Sequence, residues 1–354
     1  MSRFLVSKYS DLEAYTPGEQ PKDRKYIKLN TNESPYPPSE GVLRAVNSSQ
    51  AELLRLYPDP TCSQLKGKIA GLYGLAPENV FISNSSDDML NIAFTAFASD
   101  EKPAYYPDIT YGFYKVFSKL HGTKAKIFPL REDFTIDPQN YMGLAEGLIV
   151  ITNPNAPTGL ALSPEDIKKI CLGSPDCIVI ADEAYVDFGA ESCVKLIGGL
   201  ENLIVCRTYS KSMSMAGARL GFAFASKEII QDLEKIKYST NPYSVNRITL
   251  AAGEAAIDDI EYYRNNCRKI IETREKTSQE LKKLGFELTD SKANFIFAKS
   301  DKLPGKLIFE KLREKGILVR RFEQDRISEY LRITVGSPEE MQALTEALKD
   351  ILSK

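Results

Sequence analysis

The chain has 354 residues, enough for a large core in two domains or in one large domain with an appendage. Hydrophobic residues make up 43% and charged residues 27%, the balance of an ordinary globular chain, and a net charge of −2 gives no electrostatic case for nucleic acid or an anionic membrane. No apolar run approaches the roughly 20 residues of a bilayer span, and the opening MSRFLVSKYSDLEAY lacks the apolar segment of a signal peptide.

Six scattered cysteines form no C-x-x-C pair, which reads as reduced, structural thiols in a cytoplasmic protein. A single histidine, His121, rules out a histidine cluster, so no metal is expected.

In chain order, the first 40 residues are rich in Pro, Asn and Ser and read as an extended arm that joins part of a small domain. A helix–strand alternation follows. CSQLKGKIAGLYG has helical spacing, NVFIS is a short strand, and SSDDMLNIAFTAF starts another helix. Three apolar runs without alternation, GLIVIT, CIVIAD and NLIVCRT, suit strands buried on both faces of a mostly parallel sheet. From NRITLAAGEAAIDD to ELKKLG the pattern is of one or more long helices. These lead to a smaller α+β unit with strand candidates NFIFAK, ILVRRF and YLRITV. The expected division is therefore an arm over 1–40, a large α/β domain over 41–245 and a small α+β domain over 246–354.

Ligands of open α/β sheets collect at the carboxyl ends of the strands. GLIVIT ends in NPNAPTG, CIVIA ends in Asp182-Glu183-Ala184-Tyr185, and NLIVCRT leads to Ser210-Lys211 and on to Arg219. A carboxylate, a phenol and an amine thus meet at one edge, with no histidine, metal site or glycine-rich dinucleotide loop. Pyridoxal phosphate chemistry wants that set. It needs a lysine to carry the aldehyde and a carboxylate against the pyridine nitrogen, so that the ring becomes an electron sink. Asp182 and Lys211 suit those roles, and Tyr185 is placed to donate to the ring oxygen. The helix start around Asn84–Asp88 offers backbone N–H groups to a phosphate, with Ser210 and Arg219 completing the cup. Each element has an ordinary alternative: a solvated lysine, an aspartate capping a helix, an N-cap in NSSDD, an ion-paired arginine, a polar strand edge in Arg320-Arg321. Their joint order at strand ends is what argues for the site.

The motifs LEAYTPGEQ, KLNTNESPYPPS, LYPDP, ITYGFY, NPNAPTG, IADEAY, RTYSKSMSMAGARLGF and LRITVGSPEEM run nearly end to end. On them the chain resembles the fold-type I pyridoxal-phosphate aminotransferases, and among these the histidinol-phosphate aminotransferase family. The resemblance implies the fold-type I transferase architecture. It implies Lys211 as the lysine carrying the cofactor and moving the proton, Asp182 on the pyridine nitrogen and Tyr185 on the ring hydroxyl. Tyr111 would stack on the ring, and the amides of Ser86 and Asp87, with Ser210 and Arg219, would hold the phosphate. Tyr57 would reach the cofactor of a neighbouring subunit, making a homodimer the expected unit. Tyr15 would close over the substrate, while Arg320 and Arg332 would grip its anion with forks that suit phosphate or carboxylate alike. The implied reaction is transamination between histidinol phosphate and 2-oxoglutarate. The rivals are an aromatic aminotransferase, a threonine-phosphate decarboxylase, and a non-catalytic cofactor-binding regulator.

Two departures stand out. The family has asparagine directly before PTG, where this chain has Ala156, which leaves Asn155 or Tyr185 alone for the ring oxygen. Ser85 stands in place of the glycine of the phosphate cup, where glycine tolerates conformations that serine resists.

Overall fold

A computed structural model describes residues 4–353. The chain begins with an arm that crosses to the small unit, where β1 (Ile27–Lys28) pairs in parallel with a short strand close to the C-terminus. Helices α1 (Glu40–Ala45), α2 (Ser48–Glu52) and α3 (Ser63–Tyr73) lead into the first strand of the main sheet, β2 (Val80–Ser83). Then come α4 (Ser86–Phe97), β3 (Ala104–Pro107), α5 (Phe113–His121), β4 (Ala125–Phe128), β5 (Gly147–Thr152), α6 (Pro164–Gly173), β6 (Cys177–Asp182), β7 (Leu203–Thr208) and β8 (Gly221–Phe224). These seven strands form one sheet in the order β2-β8-β7-β6-β5-β3-β4. β8 runs antiparallel to both its neighbours, and the other pairings are parallel.

The alternation of side chains along a strand explains why three runs of unbroken apolar residues were needed. Ile149, Ile151, Val179, Ala181, Leu203 and Val205 feed one core, together with Leu65, Ile69, Ile167 and Ile170 of α3 and α6. Their neighbours Leu148, Val150, Ile180, Ile204 and Cys206 feed a second core on the opposite face, under α4 and α5. A strand with helices on both faces has no side to leave polar.

Helices α7 (Lys227–Thr240), α8 (Arg247–Asp258) and α9 (Ile260–Lys283) follow. The small unit then adds β9 (Phe286–Leu288), β10 (Phe295–Ser300), α10 (Gly305–Glu314), β11 (Ile317–Leu318), β12 (Arg320–Arg321), β13 (Tyr330–Thr334) and α11 (Pro338–Leu352). Its antiparallel sheet has the order β12-β13-β10-β9. The ILVRRF run is split: β11 takes the arm's β1 as partner and β12 joins the sheet, with buried Val319 between them. A third core joins Leu29 of the arm to Phe295, Leu331, Ile333, Leu344 and Leu348.

Helix α8 packs on the large sheet's core through Leu250, Ala252, Ala256 and Ile257. Gly253 permits the approach, since a Cβ there would stand 2.5 Å from Leu220 Cδ2. Along α9 the allegiance changes: Tyr263 lies in the large core, Cys267 and Ile270 in the small one. We therefore propose the boundary of the small unit inside α9 rather than after residue 245. The cleft lies where these two cores meet, with Tyr185 and Ala156 packed into the small unit's core from the ends of the large sheet's strands.

Candidate active site

Asp182 is the last residue of β6, in register with Thr152 of β5 and Cys206 of β7. It is 3% exposed. Tyr114 Oη donates to its Oδ2 at 2.8 Å, and the Ala184 amide donates to its Oδ1 at 3.3 Å. Burial raises the carboxyl pKa to about 6, against the lowering effect of the Tyr114 hydrogen bond. Tyr114 itself is fully buried and within 2.6 Å of Thr152 Oγ1. Because its own hydrogen goes to Asp182, the threonine must be the donor in that second contact. Neither Tyr114 nor Thr152 was anticipated from the sequence. The available signal was the three-residue spacing of Tyr111 and Tyr114 in ITYGFY at the entry to α5, which brings their rings to 5.8 Å.

Lys211 follows β7 on a loop held from within. The Ser210 amide donates to Thr208 Oγ1 at 3.1 Å, and the Met215 amide to the carbonyl of the fully buried Tyr209 at 3.0 Å. The amine reaches across the cleft to the arm, donating to the Thr31 carbonyl at 3.1 Å. Burial lowers its pKa to about 8, and the positive charge of Arg332 pushes in the same direction. A lysine that a surface position would keep fully charged is here within reach of its neutral, nucleophilic form near pH 8.

The anion cup is at the start of α4. The first helical hydrogen bond is from the Met89 amide to the Ser85 carbonyl, so the Ser86 and Asp87 amides lie among the unpaired N–H groups of the first turn. Ser85 adopts φ 84° despite its side chain. The turn is pinned on both sides: Ser83 Oγ donates to the Ser85 carbonyl at 2.8 Å, and the Asn84 amide to Asp88 Oδ2 at 2.9 Å. β8 presses on it so closely that a Cβ at Gly221 would stand 2.4 Å from the Ser85 carbonyl carbon. Serine therefore does the work expected of glycine, at the cost of a positive φ. Arg219, also left-handed at φ 54°, lays its Nη2 2.9 Å from Asp87 Oδ2 and its Nη1 3.5 Å from Ser210 Oγ. Tyr111 Oη donates to the other oxygen of Asp87 at 2.8 Å, which holds its ring at the cleft wall.

The facing wall comes from the arm and the small sheet. Arg320 and Arg332 are directly opposite each other on β12 and β13, an arrangement of like charges that destabilises unless an anion joins them. Arg332 Nη2 donates to the Asn30 carbonyl at 3.0 Å, while its buried Nε has no hydrogen-bond partner among the described residues. Arg320 donates to the Thr16 and Pro17 carbonyls at 3.1 and 3.2 Å, fastening the arm across the cleft. There Tyr15 stacks on Phe113 with ring centroids 4.3 Å apart.

Tyr15, Ser86, Asp87, Tyr111, Asp182, Tyr185, Ser210, Lys211, Arg219, Arg320 and Arg332 thus line one cleft, joined by Asn32 and Ala156. Two expected residues are elsewhere. Asn155 turns away: its Nδ2 donates to the Ile109 carbonyl at 2.9 Å and to Thr158 Oγ1 at 3.1 Å, and its Oδ1 accepts from Thr110 at 3.0 Å. With both ends of its amide engaged in the loop, it has nothing to offer a ring oxygen, which corrects the sequence reading. Tyr57 is 77% exposed on the outer surface, stacked on Tyr243 at 4.4 Å, and does not touch the cleft of its own chain.

A family model described as aminotransferase class I and II matches residues 24–348. A histidinol-phosphate aminotransferase of Brachyspira hyodysenteriae is 50% identical over 353 residues, covering 99% of each chain. One of Clostridium acetobutylicum is 46% identical over 353 residues, covering 100% of each. Among solved structures, a histidinol-phosphate aminotransferase of Sinorhizobium meliloti in complex with pyridoxal-5'-phosphate superimposes with a TM-score of 0.89 at 24% identity, covering 99% of each chain. That likeness speaks for the fold; the sequence matches speak for the family. The chain belongs to the class I and II aminotransferases and, within them, to the histidinol-phosphate aminotransferase family.

Proposed function

We propose that the protein is a pyridoxal-phosphate-dependent transaminase that exchanges an amino group between histidinol phosphate and 2-oxoglutarate, giving imidazole acetol phosphate and glutamate in histidine biosynthesis. The observation that carries this reading is the convergence, in one cleft, of a lysine with its pKa lowered to about 8, a buried aspartate, and two arginines facing them.

The residues fit the cofactor by chemistry. The cleft holds an amine for an aldehyde, a carboxylate for a ring nitrogen, and a helix start with a serine and an arginine for a phosphate. Bound there, pyridoxal phosphate supplies a carbonyl that condenses with amines and a protonated ring that accepts an electron pair. Asp182, oriented by Tyr114, holds the proton on the ring nitrogen. Tyr185 donates to the ring oxygen. Lys211 would carry the cofactor's aldehyde and, as a free amine, would serve as the base that moves the proton at the substrate Cα. Arg332 and Arg320 bind the substrate phosphate, or the carboxylate of the second substrate, with the same forked donors. The unpaired Nε of Arg332 supports a ligand anion at that place.

A homodimer in which Tyr57 enters the neighbouring cleft is part of the reading, supported by the exposure of Tyr57, Leu54, Leu56 and Tyr243 on one surface. We place the protein in the cytoplasm, with six buried, unbridged cysteines; among the described residues no helix is long and apolar enough to cross a membrane. The deciding experiment is a transamination assay with histidinol phosphate and 2-oxoglutarate, run beside phenylalanine and threonine phosphate. Preferred turnover of histidinol phosphate is expected; efficient amination of aromatic 2-oxo acids alone, or loss of CO2 from threonine phosphate, overturns the substrate.

A further inference from the structure

We propose that Asn32 is a positioning residue for the reaction, aiming the Tyr185 hydroxyl hydrogen into the cleft by donating its own amide hydrogen to the phenol oxygen. The inference rests on pyridoxal phosphate occupying the cleft.

Asn32 is 1% exposed and sits at φ 56°, a left-handed conformation that asparagine tolerates better than most residues. Every polar group it carries is engaged. Its backbone amide donates to Thr334 Oγ1 at 2.9 Å, and the same hydroxyl donates back to Asn32 Oδ1 at 3.0 Å. Its carbonyl accepts from Asn294 Nδ2 at 3.0 Å. The reciprocal pair with Thr334 settles which end of the amide is oxygen: Oδ1 must face the threonine hydrogen, so Nδ2 faces Tyr185. The distance from Nδ2 to Tyr185 Oη is 3.0 Å.

The consequence for the phenol follows from counting hydrogens. Tyr185 Oη accepts from Asn32, its one hydrogen-bond partner among the described residues, and cannot give its hydrogen back to an N–H group. The phenol ring is itself fixed, edge-on against Phe295 at 5.2 Å. Its hydrogen is therefore left for whatever acceptor lies in the cleft, and the donated bond from Asn32 strengthens it as a donor. Strand β13 and the arm thus act together: β13 presents Thr334, Thr334 sets Asn32, and Asn32 sets Tyr185. The arrangement gains weight from its surroundings. Ala156 brings only a methyl group to this part of the cleft, and the Asn155 amide is spent on Ile109, Thr158 and Thr110. The charged and titratable groups around the phenol are Arg332, Asp182, Asp87, Tyr111 and the Lys211 amine, whose Nζ is 5.8 Å from the ring centroid.

A hydrogen bond to the ring oxygen stabilises its anionic form, and so lowers the pH at which the bound cofactor's visible absorption switches. The test is a pH titration of that absorption in purified holoprotein, for Asn32→Gly, Tyr185→Phe and the double variant; glycine keeps the positive φ while removing the donor. Asn32→Gly is expected to raise the midpoint by about half a unit to one unit, and Tyr185→Phe by more. In the Tyr185→Phe background the Asn32 change is expected to add nothing, because it acts through the phenol. A midpoint unmoved by Asn32→Gly, or an equal shift with and without Tyr185, overturns the proposal. Should Asn32→Gly fail to fold, Asn32→Asp serves. Its carboxylate turns the phenol hydrogen away, and the midpoint must rise more with Tyr185 present than with Tyr185→Phe. If the unaltered protein develops no cofactor absorption at all, the cofactor reading and this proposal fall together, whereas a normal titration indifferent to Asn32 removes only the proposal.

Discussion

The wall of the cleft that carries Asp182 and Lys211 is contributed by adjacent strands of one sheet, whereas the wall that carries Arg320, Arg332 and Tyr15 is assembled from the arm and the far end of the chain. On the first wall the charged groups are internally supported: Tyr114 holds the buried Asp182, and the loop that carries the half-buried Lys211 is tied down at Ser210 and Met215. On the second, two guanidinium groups oppose each other, one nitrogen has no hydrogen-bond partner among the described residues, and Arg320 is occupied with the carbonyls of Thr16 and Pro17. The first wall is held by its own hydrogen bonds. Under the proposed function the second would be completed by a substrate anion, which would make binding energy available for fastening the arm.

Substitutions on the two walls should therefore fail in different ways. Lys211→Ala is expected to cost roughly a thousandfold or more in kcat while still binding pyridoxal phosphate; borohydride reduction followed by mass measurement of the peptide would find no covalent adduct, and near-normal turnover would break the assignment. Asp182→Asn keeps the shape but removes the charge, and should lower kcat roughly a hundredfold with KM little changed. On the opposite wall the loss should appear in KM. Arg332→Lys gives up a fork for a point charge at a half-buried site, and a loss of about 2 kcal/mol corresponds to roughly thirtyfold in kcat/KM. A kcat effect at constant KM would erase the contrast between the walls.

The lysine pKa sharpens the comparison through pH. Below about pH 8 the neutral amine falls tenfold per unit, and the rate of cofactor capture by the cofactor-free protein should fall with it, levelling off above that pH. The sign for stability follows from the same shift. Because the folded pKa is below the ordinary 10.5, the unfolded chain binds more protons between about 8 and 10.5. The cofactor-free protein should accordingly gain stability as pH rises through that window and lose it again as pH falls to about 8. Lys211→Met should flatten this rise in a denaturant titration at several pH values. The smallest effect belongs to Tyr15→Ala, which removes one ring stack at the cleft mouth and should raise KM about fivefold, near 1 kcal/mol; an effect as large as that of Arg332→Lys would mean that the arm, not the arginine pair, dominates the second wall.

How much was legible in advance differs between the walls for the same reason. Asp182, Lys211 and the helix start at Ser86 each lie at the end of an apolar run, and strand ends in a parallel sheet converge by rule, so local sequence was enough to bring them together. Arg320 and Arg332 were placed by resemblance alone, since nothing in ILVRRF or YLRITV says that the two strands pair with these residues opposite. Tyr114 went unseen because its neighbour Asp182 is 68 residues away in the chain. The NPNAPTG segment was misread at Asn155, because which of two adjacent side chains faces the cleft depends on how the loop packs against Ile109 and Thr110. The boundary after residue 245 followed the start of the long-helix pattern; the proposal of a later boundary rests on α8 packing on the large core, with Gly253 close to Leu220.

By itself the sequence determined the parallel sheet, its two-sided burial and the chemical groups delivered to its carboxyl edge, because periodicity and strand-end position are local properties. Only the tertiary structure decided which of those groups are held, by whom and in which direction. The left-handed Ser85 is kept by the close pass of Gly221, the opposed arginines by strand register, and the Tyr185 hydrogen by an asparagine 153 residues away. Such settings arise from contacts between segments far apart in the chain, where no spacing rule reaches.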